Sequence, residues 1–315
     1  MSQKNIPIQV CFSSPILAFM TGISPCRLLS LWVIIFTIVG GGLSIGSTDE
    51  PVLQTITVQT NLAYKTSNAL SDYEIERCKL DLYLPAVRKS FPTLVWFHGG
   101  GLEIGSKDEE FTVNIAHSLA QSGIAVAVPN YRLSPKAKFP AYLDDAAAAV
   151  AFVITNIAAQ GGDTNRVFIG GHSAGGYLTL MLGLDSQYLQ QKGFAKSAIA
   201  GLIPVSGQTT THSTIRAERG LNRNRIIADE AAPIYYADKE TPPLLIFFAE
   251  HDFPMRVEEN QLLVAALAAA GNTNYSAHLV HDRDHISIAE NIKHSNDPVH
   301  MAIVDFIKSG TVHRQ

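Results

Sequence analysis

The chain is 315 residues long, 46% hydrophobic and 17% charged, with a formal net charge of −4. The length leaves room for two domains, although α/β folds of this size are often one, and the apolar fraction is enough for a large core. A mildly acidic chain does not favour nucleic-acid binding, because phosphate neutralisation needs an excess of Lys and Arg.

Residues 1–46 contain Lys4 and Arg27 and no acidic residue. Leu28 to Val39 is an apolar run directly after Arg27, and Ser44-Ile45-Gly46 offers the small residues that signal peptidase needs before Ser47. Residues 1–46 therefore read as a signal peptide. The stretch ahead of Arg27 is long for one, and Met20 would be a more natural start. The rival reading is an uncleaved tether through residues 28–45, just long enough to span a bilayer but weakened by Gly40-Gly41-Gly42. Export with cleavage is favoured, and either reading puts the remainder, residues 47–315, outside the cytoplasm as a single domain. Without the first 46 residues, 22 basic face 28 acidic groups. Cys11 and Cys26 fall in the leader. Cys78 stands alone and reads as a small buried hydrophobe rather than half of a disulfide.

From there strands and helices alternate, which implies a mostly parallel sheet. Residues 52–62 and 78–84 open it as an antiparallel edge. Strands follow at 92–98, 124–130, 166–172, 199–206, 243–249 and 275–280. Helices are predicted over 111–121, 141–159, 174–184, 256–270 and 297–308. The second of these is rich in alanine, which suits close packing on a sheet.

Two turns carry chemistry. The apolar strand 92–98 runs into His98-Gly99-Gly100-Gly101, where three glycines let backbone N–H groups face a ligand. Strand 166–172 ends in Gly171-His172-Ser173-Ala174-Gly175, a G-x-S-x-G pattern at a strand-to-helix junction. So sharp a turn strains the serine, lifts its hydroxyl out of the sheet and sets the Ala174 amide at a helix N-terminus. The amides of Gly99, Gly100 and Ala174 make a candidate oxyanion hole.

These two turns are joined by Leu80-Asp81-Leu82-Tyr83-Leu84-Pro85, Asn130-Tyr131-Arg132-Leu133-Ser134-Pro135, Phe139-Pro140-Ala141, Asp144-Asp145 and Gly162-Asp163-Thr164-Asn165-Arg166-Val167. Together they resemble the α/β-hydrolase esterases and lipases with an H-G-G-G oxyanion loop, the hormone-sensitive-lipase-like group. Within it the chain is most similar to small carboxylesterases of the bifunctional feruloyl and acetyl-xylan esterase type. The likeness covers residues 55–310 and fades between 208 and 240. It implies an α/β-hydrolase fold, a mostly parallel eight-stranded sheet with helices on both faces. It also implies hydrolysis of short-acyl carboxylic esters through an acyl-enzyme, with a small-molecule or glycan-linked substrate and neither cofactor nor metal. A formamidase using the same residues is the nearest alternative, and a non-catalytic binding protein of this fold a more distant one.

In this fold the acid and the base follow the serine in that order. Glu250-His251-Asp252 ends the strand at 243–249, on the same rim as Ser173. Asp252 matches the family's acid position, and Glu250 is the competitor. Of the histidines after it, His278 falls within a strand, His294 and His300 in or beside the last helix, and His313 in the tail. His281 and His285 remain, and His285 sits where the family places its base. His281, Asp282, Asp284 and His285 could also be read as metal ligands, but the segment has no helical period and no H-E-x-x-H. Arg132 is expected to pair with Asp144 or Asp145 and hold a loop. Residues 208–240 form a candidate lid. Within it Thr209-Thr210-Thr211 reads as a polar turn. Arg216, Arg219, Arg223 and Arg225 read first as a solvated face, or alternatively as cations for an anionic substrate.

Overall fold

The computed structural model describes residues 55–87, 89–238 and 240–312. The leader, Cys11, Cys26 and His313 lie outside these residues. In chain order the elements are β1 (Thr57–Ala63), α1 (Asp72–Arg77), β2 (Lys79–Leu84), β3 (Phe91–Phe97), α2 (Glu110–Gln121), β4 (Ala125–Pro129), α3 (Ala141–Asn156), β5 (Gly162–His172), α4 (Ala174–Leu184) and α5 (Gln187–Gln190). There follow β6 (Gly201–Val205), α6 (Ser213–Glu218), β7 (Leu244–His251), α7 (Arg256–Ala269), β8 (Tyr275–Asp284), α8 (Ser287–Glu290) and α9 (Pro298–Ser309).

The strands form one sheet in the order β1-β2-β4-β3-β5-β6-β7-β8. β1 and β2 pair antiparallel, as do β2 and β4, and every pairing from β4 to β8 is parallel. The expected eight-stranded, mostly parallel sheet is thus the observed one.

Both faces are covered, so β3 is buried at every position. Its alternate side chains divide between two cores. Leu94 and Trp96 join the cluster under α2 and α9, while Val95 and Phe97 join the one under α3, α4 and α7. The alanines of α3 that face the sheet, Ala146, Ala147 and Ala149, are fully buried. With no side-chain entropy to lose, they let the helix approach closely.

Three local differences from the sequence reading have physical causes. First, α1 was not expected, yet Ser71 and Glu74 form a capping box at its start. Second, β8 runs on to Asp284 rather than ending at 280, because a register shift lets His251 of β7 pair with Asp284. His281 and Asp282 are therefore strand, not loop. Third, Thr209, Thr210 and Thr211 are buried, not a solvated turn. Their hydroxyls donate to the Glu259 carbonyl at 2.6 Å, the Glu259 carboxylate at 2.7 Å and Asp229 at 2.7 Å.

The expected ion pair of Arg132 is with Asp145, on the inner face of α3. Arg132 donates to both carboxylate oxygens, each at 2.8 Å, and its backbone N–H donates at 2.9 Å. Lys65 also bonds this carboxylate, and Glu74 sits 3.1 Å from Lys65. The Asp145 side chain is fully buried. Removing one partner of a buried pair leaves the others desolvated and unpaired. Asp145→Ala should therefore destabilise the fold by roughly 3–5 kcal/mol, read as a lower urea midpoint.

Among the buried histidines, His98 and His172 lie beside the two turns with their rings desolvated. Burial pushes His98 down to about 3. Burial and the neighbouring His285 do the same for His172, also to about 3. Both are held below the ordinary 6.5. Between those values the unfolded chain binds more protons than the folded one, so stability rises with pH across that window. Urea unfolding should show stability falling as pH drops below about 6.5, with a smaller fall in His172→Gln. A pH-independent midpoint from 7 to 4.5 would refute it.

Candidate active site

The parallel strands carry their loops to one rim. β3 delivers His98 to Gly101, β5 delivers Ser173, β7 delivers Asp252, and the turn after β8 delivers His285. Ser173 has φ 57° and ψ −114°, a combination that side chains rarely adopt. The turn closes only because of what flanks it. A Cβ on Gly175 would run into the Phe97 carbonyl, and one on Gly171 would sit 2.7 Å from the same oxygen. The first turn of α4 thus lies directly against the end of β3.

The structure brings Ser173, His285 and Asp252 into one line. His285 Nε2 is 2.8 Å from Ser173 Oγ, and His285 Nδ1 is 2.6 Å from Asp252 Oδ1. With Asp252 accepting from Nδ1–H, Nε2 is left as the acceptor for the serine proton. The Asp252 side chain is fully buried. Burial would raise its pKa, but the bond from His285, the Ser206 hydroxyl beside it and the Phe253 N–H outweigh this and hold the carboxyl below its ordinary value. Phe253 N–H donates to Asp252 Oδ1 at 2.7 Å. The carboxylate is charged wherever the imidazole needs it.

Glu250 and His281, the competing acid and base, pair instead with each other at 3.3 Å on an exposed surface. His278 bonds Ser276 and stacks on Phe247, and His300 donates to the Ile292 carbonyl. Among the described residues, no three His, Cys, Asp or Glu side chains converge to hold a metal ion.

The glycine loop is held from both sides. Gly100 has φ 99°, and its carbonyl accepts from Glu103 and Ile104 N–H, each at 3.0 Å. A Cβ there would collide with the Ile104 carbonyl. The His98 ring stacks on Tyr131 at 4.3 Å and its Nδ1–H donates to the Gly99 carbonyl at 2.8 Å. Tyr131 Oη donates to the His98 carbonyl at 2.9 Å, and Arg77 pins the loop from outside through the carbonyls of Tyr131 and Gly105. Among the described residues, the amides of Gly99, Gly100 and Ala174 donate to no protein acceptor. Gly99, Gly100 and Ser173 line one cavity of about 560 Å³, together with Phe111, Phe253 and His285.

Some residues at this site carried no signal in the sequence. His172 Nε2–H donates to the His285 carbonyl at 2.7 Å, so the variable position of G-x-S-x-G fixes the loop that bears the base. Kept neutral by burial, it does not add a charge beside the imidazole. Phe253 stacks on His285 at 3.9 Å, shielding one ring face. His212 and Arg256 also line the cavity. Only the spacing of His172 to Ser173 could have drawn attention; the other contacts are made across the fold.

The candidate lid is a packed segment at the cavity rim. Arg219 pairs with Asp229 and Glu230, and Arg223 pairs with Glu103, the solvated arrangement read first from the sequence. Arg216, by contrast, is buried.

Comparison with known proteins agrees with this architecture. The family described as BD-FAE matches residues 80–267. Carboxylesterase NlhH of Mycobacterium tuberculosis is 40% identical over 98 residues, covering 31% of this chain and 30% of the relative. The isoprenylcysteine alpha-carbonyl methylesterase ICME of Arabidopsis thaliana is 28% identical over 218 residues, covering 62% and 51%. The chain thus spans about a third of the length of the first relative and about half of the second. Among solved structures, a truncated carbohydrate esterase from gut microbiota superposes with a TM-score of 0.66 at 19% identity, covering 83% of this chain and 98% of that one. An esterase from the archaeon Pyrobaculum calidifontis gives 0.60 at 22% identity, covering 81% and 85%. These likenesses establish the α/β-hydrolase fold. With the family match running from β2 through most of α7, across both the glycine loop and the serine turn, this chain belongs to the BD-FAE family.

Proposed function

We propose that the chain is a serine carboxylesterase that cleaves short-acyl esters through an acyl-enzyme. The observation that carries this reading is the relay Ser173–His285–Asp252, at 2.8 and 2.6 Å, facing three backbone amides without protein acceptors. The names of the relatives and structural neighbours have ester cleavage in common, which supports the same class.

The geometry performs the chemistry as follows. Ser173 Oγ attacks the ester carbonyl and its proton passes to His285 Nε2. The carbonyl oxygen becomes an oxyanion and is met by the amides of Gly99, Gly100 and Ala174. One such donor is worth roughly 3 kcal/mol of barrier. Asp252 stabilises the imidazolium without taking its proton. The imidazolium then protonates the departing alcohol, leaving the acyl group on Ser173. Water enters, gives its proton to His285 and attacks the acyl carbonyl. Collapse returns the proton to Ser173 and frees the acid. A cavity of about 560 Å³ suits a short acyl group with a small alcohol. Export through the leader and a glycan-linked ester in the surroundings of the cell complete the reading.

Ser173→Ala should lower kcat for 4-nitrophenyl acetate by at least about 10⁴-fold and abolish labelling by an organophosphate, with the circular dichroism of the wild type. Activity retained in that variant would refute the reading. Asp252→Asn, which keeps the shape but reverses the preferred tautomer, should lower kcat by about 10⁴-fold.

A further inference from the structure

Beside the catalytic cavity lies a second one, of about 510 Å³. The two share Ser213, Phe253 and Arg256 as walls, so they are compartments of one depression. The second has an apolar side, with Ile226, Met255 and Leu262, and a charged side, where Arg216, Arg223 and Arg256 stand with Glu258 and Glu259.

The three guanidinium groups differ in how their charge is met. Arg223 donates through both terminal nitrogens to Glu103, at 2.9 and 2.6 Å. Arg256 Nε donates to Glu259 at 3.1 Å. Arg216 is only 4% exposed, yet no carboxylate lies within ion-pair distance of it among the described residues. One terminal nitrogen donates to the Arg225 carbonyl, and its Nε has no acceptor. Glu259, the carboxylate that favours its charge, is already engaged by Arg256 and by the N–H and hydroxyl of Thr210. A buried cation with an idle donor is costly, and the carboxylate that favours it is shared with Arg256.

We propose that this compartment is a subsite for an anionic group of the substrate, with Arg216 as the residue that binds it. The substrate class is an ester with a carboxylate removed from the scissile bond by an apolar spacer. The spacer lies on Phe253 and Ile226, and the carboxylate accepts from Arg216. Arg223 and Arg256 stay paired with Glu103 and Glu259, which leaves Arg216 as the group that meets the anion. Burial opposes the charge of Arg216 and the nearby Arg256 adds to that, whereas Glu259 favours it. An arriving anion supplies the acceptor that the Arg216 guanidinium lacks. This inference rests on the esterase reading, and it selects among esters.

The experiment uses two matched ester pairs. Phenyl hexanoate against phenyl hydrogen glutarate places the carboxylate on the acyl side. Phenyl acetate against 4-carboxyphenyl acetate places it on the alcohol side. The wild type should prefer the anionic member of one pair by about tenfold or more in kcat/KM, the worth of a hydrogen bond to a charged group. Arg216→Gln should bring that ratio to about one, and Arg216→Lys should keep part of it. A merely structural role would lower both members together and leave the ratio intact, which overturns the proposal, as does a wild type without preference in either pair. If no ester is turned over, the esterase reading fails, and binding decides the subsite independently. Glutarate and 4-hydroxybenzoate are titrated by calorimetry into Ser173→Ala protein with and without Arg216→Gln. Binding weakened about tenfold or more by the second substitution supports the site. Absence of binding, or binding that ignores Arg216, ends it.

Discussion

Everything at this site depends on the close approach of the first turn of α4 to the last residue of β3. Ser173 holds a backbone conformation that costs of order 1–3 kcal/mol. It persists because β5 and α4 are packed on either side and because glycines at 171 and 175 leave no Cβ to meet the Phe97 carbonyl. That contact has two consequences. It lifts the serine hydroxyl above the rim of the sheet. It also fixes the distance between the Ala174 amide and the glycine loop that continues from Phe97 through His98. Hydroxyl and amides are thus placed by one packing contact rather than by two loops adjusting independently.

The electrostatics follow from the same compactness. The carboxylate of Asp252 is buried but remains charged, since a ring nitrogen and the backbone N–H groups of Phe253 and Ala249 meet it. The buried histidines around it do the opposite. His98 and His172 are held neutral by desolvation and spend their N–H groups on backbone carbonyls. They position the glycine loop and the base-bearing loop without competing for the proton in transit. Arg132, Asp145, Lys65 and Glu74 form a separate charged network behind the glycine loop. Its work is structural, anchoring the chain that follows β4 to the inner face of α3.

The segment after β6 departs from this economy. Its threonines are sunk against Glu259 and Asp229, and two of its arginines are neutralised by carboxylates. Arg216 is left without an ion pair among the described residues and with an idle Nε at the wall of a cavity adjoining the catalytic one. The segment that least resembles the esterase pattern is therefore also the one that gives the depression its chemical character, and loops at the rim of a rigid sheet are where selectivity is ordinarily built.

Features set by short-range chemistry were legible in the chain. G-x-S-x-G between an apolar strand and an apolar helix allows few backbone paths, and three glycines after a core strand allow few more. Period and punctuation located the remaining strands and their parallel arrangement. The four-residue capping box of α1 is equally local. What sequence could not decide was which distant group meets which. Glu250 and Asp252 are two residues apart, as strand neighbours one step further on, yet only one turns inward, because β7 ends there and Asp252 is drawn back toward the Ala249 N–H. His281 and His285 are separated by a register shift that keeps the first on an exposed strand and releases the second toward Ser173. Thr209 to Thr211 look like a surface turn until Glu259, some fifty residues later, supplies acceptors inside the protein. Local pattern dictates backbone shape through sterics. Partnership across the fold depends on packing that no window of sequence contains.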